Sequence, residues 1–555
     1  MTLPRIGPRG NANVNRNRKW NSWNVHLTCL EASVMARSTP QSASLLFRIR
    51  VFWSLLLGLR KHDFRAAATW INTMYPGVSP LGRFARFVRW SLWQMWCEIP
   101  DALCTTTFAA PVSRTPFWLA QGNPLENHPW REHPEARLPV RSHVVVIGAG
   151  FTGGSLAYHW GKHAPADPSR TMVVLDMGDA ASGSSGRNEG LVVMGRYCHM
   201  VAATVRTHLA DVRADLTADE REQLARQFAV AYCRAAYRNG DLVEQTIRDE
   251  GFDCDFARQG WVQARDAEDQ LSLADSVRLA QETGTIDWTS IAPEEVRRRT
   301  GMQVTHNAGF SIAAASFHPA KWVFCLFGSA LRSGRVELFS RTKVTRVERL
   351  GDTYRVHTSR GVIETEYVVN ATESYTPLLH PQFHDRILPM QTQAASGFGG
   401  PDDIKPHVGI SGTRAFFARH DDSILFGSDA TRVPDGEAGV NQPSRFITAF
   451  VLGELRRYFG PSSARVTNEW SGTVSYTPDE FPIVGVMDGH RQYIIAGMAG
   501  SGTAVSFNGG RCTVNRILER TAEADDYPAE YFSPTRLLDP RHHSWPELDS
   551  QEKQQ

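Results

Sequence analysis

The stretch "SHVVVIGAGFTGGSLAYHW", residues 142–160, decides the fold. A short apolar run, Val144 to Ile147, meets Gly148, Gly150 and Gly153 with no polar loop between, and a helix-like segment follows. A lone G-x-G-x-x-G is a weak signal; its surroundings make this one strong. A second apolar run, "TMVVLD" (171–176), ends on Asp176. Strand, tight turn, helix and strand make a dinucleotide-binding unit. The first two glycines permit the turn and a close backbone approach to a pyrophosphate, and the third lets helix and strand pack closely. The helix start offers N–H groups and positive partial charge to the phosphates. Asp176 would accept hydrogen bonds from the adenosine ribose.

Several dinucleotides share this turn, so the choice among them needs more sequence. "AASGSSGRNEG" (180–190) is too rich in Gly and Ser for a good helix interior and suits backbone lying against a large flat ligand. "EYVVNATESYTPLL" (366–379) is an apolar strand returning to a small-residue turn at Ala371–Thr372. In "YTPDEFPIVGVMDGHRQYIIAGMAGSGTAVSFNGG" (476–510), a second glycine-rich turn, Gly497, Gly500 and Gly502, precedes a helix. Glycine-lined segments at three separate places fit an extended dinucleotide such as FAD better than NAD.

At 555 residues and 42% hydrophobic, the chain can bury a core of several domains. The net charge of +2 is unevenly spread: residues 1–113 hold 14 Lys+Arg against 4 Asp+Glu, leaving −8 on the rest. Eight scattered cysteines without a C-x-x-C pair argue against zinc and a redox dithiol and suit a reducing, cytoplasmic compartment. No nucleic-acid partner is expected. Residues 1–40 read as disordered or as an unfolded leader. The apolar run "VFWSLLLGL" (51–59) is too short to span a bilayer. In "LGRFARFVRWSLWQMW" (81–96), Phe84, Val88, Leu92 and Met95 fall at helical spacing beside Arg83, Arg86 and Arg89. Contact of residues 45–99 with an anionic membrane surface stands beside packing on the body or an over-long leader.

The sequence resembles the FAD-dependent oxidoreductases of the D-amino-acid oxidase superfamily, especially the glycine, sarcosine and γ-glutamylputrescine oxidase-like branch. The resemblance runs from about Phe117 to about Leu518. It is carried by "VVVIGAGFTGGSLAYH", "ASGSSGRNEG", "GFDCDFARQGWVQA", "SFHPAKWV", "VVNATESYTPLL", "DDSILFGS" and "WSGTVSYTPDEFPIVG", in that order. It implies an α/β fold: a Rossmann-like FAD-binding domain threaded discontinuously with a mixed-sheet α+β substrate domain. On this reading 1–113 is a basic helical extension, 114–520 the oxidoreductase body and 521–555 a surface tail. The FAD-binding parts are about 140–200, 310–385 and 470–520, and the substrate parts about 201–309 and 386–469.

Carried over, Gly148, Gly150, Phe151, Thr152 and Gly153 face the pyrophosphate and Asp176 the ribose. Ser182, Ser185, Gly186, Arg187, Asn188 and Ala371 line the flavin side. Val344 is similar to the residue that clasps adenine, and Gly497, Gly500, Gly502 and Thr503 to the glycine turn at the isoalloxazine carbonyl. Branches with covalent flavin use a Cys shortly before "TPDE" or a His near the "SSG" loop; residues 470–478 hold no Cys and 180–190 no His, so FAD is expected noncovalent. Glu373 stands where a small residue is common.

The resemblance implies oxidation of an amine or amino acid to an imine, with molecular oxygen as the expected acceptor. A dehydrogenase using another acceptor and a non-catalytic flavoprotein scaffold remain alternatives. Candidate substrate residues are Arg187, for cofactor or for a substrate carboxylate; His318, for capping or proton transfer; Tyr476, for the flavin face or a structural hydroxyl; and Arg414 with Arg419, for a carboxylate or a solvated surface pair.

Overall fold

The computed structural model describes residues 43–59, 78–104, 108–192, 198–284, 286–428, 431–432, 439–460, 464–487, 491–520 and 525–548. The disordered leader expected over 1–40 lies outside them. Five parallel strands form the heart of one sheet, in the order Val336–Phe339, Met172–Leu175, Arg141–Ile147, Gly361–Asn370 and Gln492–Ala496. Their valine- and isoleucine-rich character follows from helices covering a face of such a sheet. The helix Phe151–His163 packs there against Pro319–Arg332 and Gly502–Ile517.

A ten-stranded mixed sheet forms the second layer, built on Leu388–Phe398 paired antiparallel along most of Arg465–Tyr476. Long helices, Cys198–Val212 and Ala218–Glu250, flank the site side. The second starts with a Thr217–Glu220 capping box and ends at left-handed Gly251. The segments belonging to each sheet interleave along the chain, as a discontinuously threaded two-domain α/β fold requires.

Three boundaries differ from the sequence reading. Phe108–Ser113 is the edge strand of the large sheet, parallel to Arg465–Tyr476, so the extension drawn as 1–113 ends inside the body. Ile99 and Ala102 bury their side chains with Phe446 and Ala449, which ties the preceding helix down as well. The division at 469/470 falls within a single strand, because Arg465–Tyr476 runs unbroken from the large sheet toward the glycine turns. The segment read as a surface tail supplies core: Tyr527, Phe532, Arg536 and Leu537 are all buried. Arg536 reaches Asp479 at 2.8 Å and the Phe481 carbonyl at 2.6 Å, so the charge that suggested a surface location is spent on a buried ion pair.

Candidate active site

The site lies at the carboxyl ends of the parallel strands, where Ile147, Leu175, Asn370 and Ala496 give way to turns. Gly148 has φ +112°, and a Cβ there would come within 2.4 Å of the Ala371 carbonyl oxygen. The first glycine is thus required by the neighbouring turn. A Cβ on Gly153 would stand 1.9 Å from the Gly148 oxygen, so the third glycine sets the helix against its own entry turn. Gly150 opens the helix without a side-chain cap, and Ser185 Oγ accepts from the Phe151 N–H at 2.9 Å. Phe151 and Thr152 are themselves buried.

Asp176 accepts from the Ala149 and Gly178 N–H groups, each at 2.7 Å. Burial raises its carboxyl above the usual range, against the lowering effect of these two bonds. Its backbone oxygen also accepts from Thr342, which brings the loop before Val344 alongside the acid. Asn188 braces the glycine-serine loop by donating to the carbonyls of Ser184 and Ser185. The Ser182 carbonyl accepts from Arg187 Nε at 2.8 Å. Gly186 is pressed to within 2.3 Å, for an added Cβ, of the Ala181 oxygen.

The second glycine turn completes the cradle. Gly497 and Gly500 have φ +66° and +76°, and the helix starting at Gly502 has no side-chain cap. The Thr503 carbonyl accepts from Asn239, anchoring this start on the long helix Ala218–Glu250. The two helix starts come together: a Cβ on Gly502 would lie 3.9 Å from the Phe151 ring. Two helix N-termini whose own N-cap residues give no side-chain cap, and two glycine-rich turns at one end of a parallel sheet, fit a ligand carrying phosphates and a flat ring system.

Of the substrate candidates, the structure brings two to this end. Tyr476 closes the strand Arg465–Tyr476, its hydroxyl 3.6 Å from where a Gly500 Cβ would stand. Arg187 donates through Nη1 to the Ser471 carbonyl at 2.9 Å, linking the glycine-serine loop to the large sheet. His318 caps the helix Pro319–Arg332 through Nδ1, packs on Trp118, and is pushed down to about 4 by burial. Arg414 is buried rather than a solvated partner of Arg419. It lies over the Trp90 ring at 4.8 Å and 3.9 Å from Glu454, holding the N-terminal helices to the body. Arg419 caps the Pro401 carbonyl instead.

Two residues were not picked out as site groups. Glu373 has φ +45°, and its buried carboxylate accepts from Ser475 Oγ at 2.6 Å and from the Met498 N–H at 3.4 Å. The acid that departs from the expected small residue therefore ties the Ala371 turn to the C-terminal glycine turn. Tyr375 sits close enough to Arg187 to interact with its charge, and burial raises its hydroxyl. The aromatic in "ATESY" was visible; nothing local showed which way it faces.

The sequence model of the FAD-dependent oxidoreductase (DAO) family matches residues 143–516. This chain belongs to that family. It is an FAD-dependent enzyme, and the cradle above is the part of the fold that fits FAD. A probable oxidoreductase OrdL of Rhizobium meliloti is 22% identical over 69% of this chain and 85% of its own length. The mitochondrial pyruvate dehydrogenase phosphatase regulatory subunit of Mus musculus is 24% identical, but the match spans 26% of that protein and 46% of this chain. Among solved structures, L-proline dehydrogenase from P. horikoshii superposes with a TM-score of 0.56 at 18% identity, covering 72% of this chain and 98% of that one. Glycine oxidase from Bacillus cereus gives 0.53 at 16%, covering 72% and 97%. These likenesses establish the fold shared with this flavoenzyme.

Proposed function

We propose that the enzyme oxidises the C–N bond of an amino acid, and that Arg187 holds the substrate carboxylate. Arg187 carries this reading: its guanidinium is largely buried, yet it forms no ion pair among the described residues. Nε and Nη1 are bound to the carbonyls of Ser182 and Ser471, which leaves Nη2 to meet an anion. Burial lowers the Arg187 pKa, the expected penalty for a desolvated cation still lacking a counter-charge. The Tyr375 hydroxyl, near enough to Arg187 to feel its charge, would donate to the same carboxylate. The family relatives named for acting on proline and glycine support an amino-acid substrate.

FAD supplies the two-electron acceptor. When bound, it would take up the two electrons released as the C–N bond is oxidised to an imine, which water would hydrolyse to a carbonyl compound and the free amine or ammonia. The protein's part is to fix the C–H in place: Arg187 and Tyr375 hold the carboxylate end while the large sheet carries the walls. The missing Cys and His near the cradle support noncovalent FAD, which acid precipitation should release into the supernatant. Molecular oxygen is the proposed acceptor. Free thiols at every described cysteine support a reducing, cytoplasmic location.

Anaerobic mixing with glycine, sarcosine, proline and D- and L-amino acids should bleach the flavin with at least one of them, and admitting air should restore its colour. Arg187→Ala should raise KM for that substrate by up to about 100-fold, the scale of one lost hydrogen bond between charged groups, with flavin retained. Loss of flavin from this variant would assign Arg187 to the cofactor. Bleaching by amines lacking a carboxylate, unaffected by Arg187→Ala, would overturn the amino-acid reading.

A further inference from the structure

We propose, building on Arg187 and Tyr375 as the pair that receives the substrate carboxylate, that the segment 439–442 walls their pocket off from solvent. Ser471 and Gly439 are the positioning residues through which this wall acts. Gly439 and Val440 are exposed, whereas Ser471 and Thr473 beneath them are buried. The segment lies between solvent and the strand Arg465–Tyr476, at the point where Arg187 meets that strand.

The sheet explains why a wall forms here. The outer neighbour of that strand, Phe108–Ser113, pairs with it between Val466 and Asn468. Beyond Asn468 the backbone groups on that edge need other partners. Ser471 has two: its N–H donates to Asn441 Oδ1 at 2.9 Å, and its carbonyl accepts from Arg187 Nη1 at 2.9 Å. Asn441 Nδ2 donates in turn to the Arg114 carbonyl at 3.0 Å, just past the end of Phe108–Ser113. The Ser471 hydroxyl oxygen accepts from the Gln442 N–H at 3.0 Å and from Gln391 Nε2 at 2.8 Å. Gln391 also donates to the Val440 carbonyl at 2.9 Å. One serine therefore holds the segment with its side chain and N–H, and the guanidinium with its carbonyl.

Gly439 makes the second link. Its N–H donates to Thr473 Oγ1 at 3.0 Å, and the Thr473 carbonyl accepts from the hydroxyl of Ser374, the residue before Tyr375, at 3.1 Å. Gly439 has φ +82°, and an added Cβ would stand 2.8 Å from both Cε1 and the hydroxyl oxygen of Tyr375. Only a residue without a side chain lets the segment close on that ring. Backbone confines the ring on the solvent side, while Tyr375 stays near enough to Arg187 for their charges to interact. Confinement raises affinity, because a guanidinium and a hydroxyl already held in place lose less freedom when an anion arrives.

The test titrates full-length, flavin-loaded enzyme with acetate, a carboxylate that carries no oxidisable amine, in a calorimeter. The parent should bind acetate, and Arg187→Ala should lose that binding. Ser471→Ala and Gly439→Ala should each raise the acetate Kd roughly tenfold, the scale of one hydrogen bond. KM for the amino acid that bleaches the parent should rise by the same factor, with flavin content and the limiting rate of flavin reduction unchanged. Ser471→Thr keeps a hydroxyl for Gln442 and Gln391 and should restore the parent value. Gly439→Ala alters an exposed position, so it carries the test should Ser471→Ala melt early. Failure of the parent to bind acetate, or binding that survives Arg187→Ala, would overturn the reading of Arg187 and this wall with it. Binding lost in Arg187→Ala yet unchanged in Ser471→Ala and Gly439→Ala would overturn the wall alone. So would variants that lose flavin or limiting rate while acetate Kd and KM stay with the parent.

Discussion

The helices Phe151–His163 and Pro80–Trp93 have similar lengths and opposite fates: eleven of thirteen residues are buried in one, and none of fourteen in the other. The difference lies in which residues occupy the flanks. Phe151–His163 carries Gly153, Gly154, Ser155 and Gly161, so strands and helices can close on it from several sides. Pro80–Trp93 carries arginines around half its circumference, and burying them would strip three cations of water. Small residues admit neighbours; charged ones keep a helix at the surface whatever its apolar stripe.

The largest expected effect comes from filling the buried helix. Gly153→Val should destroy the nucleotide sheet, with loss of folded protein and of flavin absorbance, because its Cβ has only 1.9 Å to the Gly148 oxygen. That is a steric failure of the exceptional class, above about 4–5 kcal/mol. Gly154→Ala makes the control: its Cβ would meet Leu326 and Phe327 at ordinary contact distances of 3.4 and 3.5 Å. It should retain both fold and flavin.

Next in size is the clamp on the C-terminal segment. Arg536→Met leaves the Asp479 carboxylate buried without its partner and should cost about 3–5 kcal/mol in urea unfolding. Burial alone would raise the Asp479 pKa, but the charges of Arg536 and His208 and the hydrogen bonds outweigh it, and the net shift is downward. The sign follows: the folded state holds this proton less tightly than the unfolded chain. The contribution of the pair is therefore present above the ordinary aspartate range and lost as pH falls through the depressed value. The variant should lose that acid limb of the unfolding curve.

The nucleotide-binding half was legible because its constraints are local. Three glycines, a valine run and one acid lie within thirty-five residues, and each has a steric reason that survives in the structure. The tail and the extension were misread because their partners are far away in sequence. Nothing near Arg536 points to Asp479, 57 positions earlier, and nothing in "FAAPVS" names Arg465–Tyr476 as its sheet neighbour. Arg414 failed for the same reason, since Glu454 and Trp90 lie on opposite sides of it in the chain. The substrate candidates were harder still: the side on which Tyr375 meets Arg187 is set by the crossing of two sheets, which no periodicity encodes.

Deleting residues 1–113 is a smaller but decisive break. It would expose Phe446 and Ala449 and remove the edge strand, costing about 2–3 kcal/mol from the apolar surface alone. The truncated enzyme should melt earlier, and a cut that keeps Ile99–Ser113 should recover most of the loss. Glu373→Gln probes the cradle more gently. Burial raises the Glu373 carboxyl despite its bonds to Ser475 and Met498, so the folded state binds this proton more tightly than the unfolded chain. Stability from this group is full below the ordinary glutamate range and falls as pH rises through the elevated value. The glutamine variant should remove that decline and melt higher than the parent at neutral pH.

The smallest effect should come from the exposed helix, and there the comparison can be drawn within fourteen residues. Phe84→Ser removes a ring that is already 56% exposed, in a helix with no buried side chain, so stability should move by no more than about 0.5 kcal/mol. Trp90→Ala, on the side turned to the body, breaks the edge-on contact with Phe450 and the Arg414 cation–π contact. Together these are worth about 1–3 kcal/mol. Thermal melts of the two variants should separate clearly, Trp90→Ala falling and Phe84→Ser staying with the parent. If Phe84→Ser falls as far as Trp90→Ala, the Leu81–Phe84 side is covered in the free protein. The arginines would then have been overruled by packing, and Pro80–Trp93 would belong with Phe151–His163 among the buried helices.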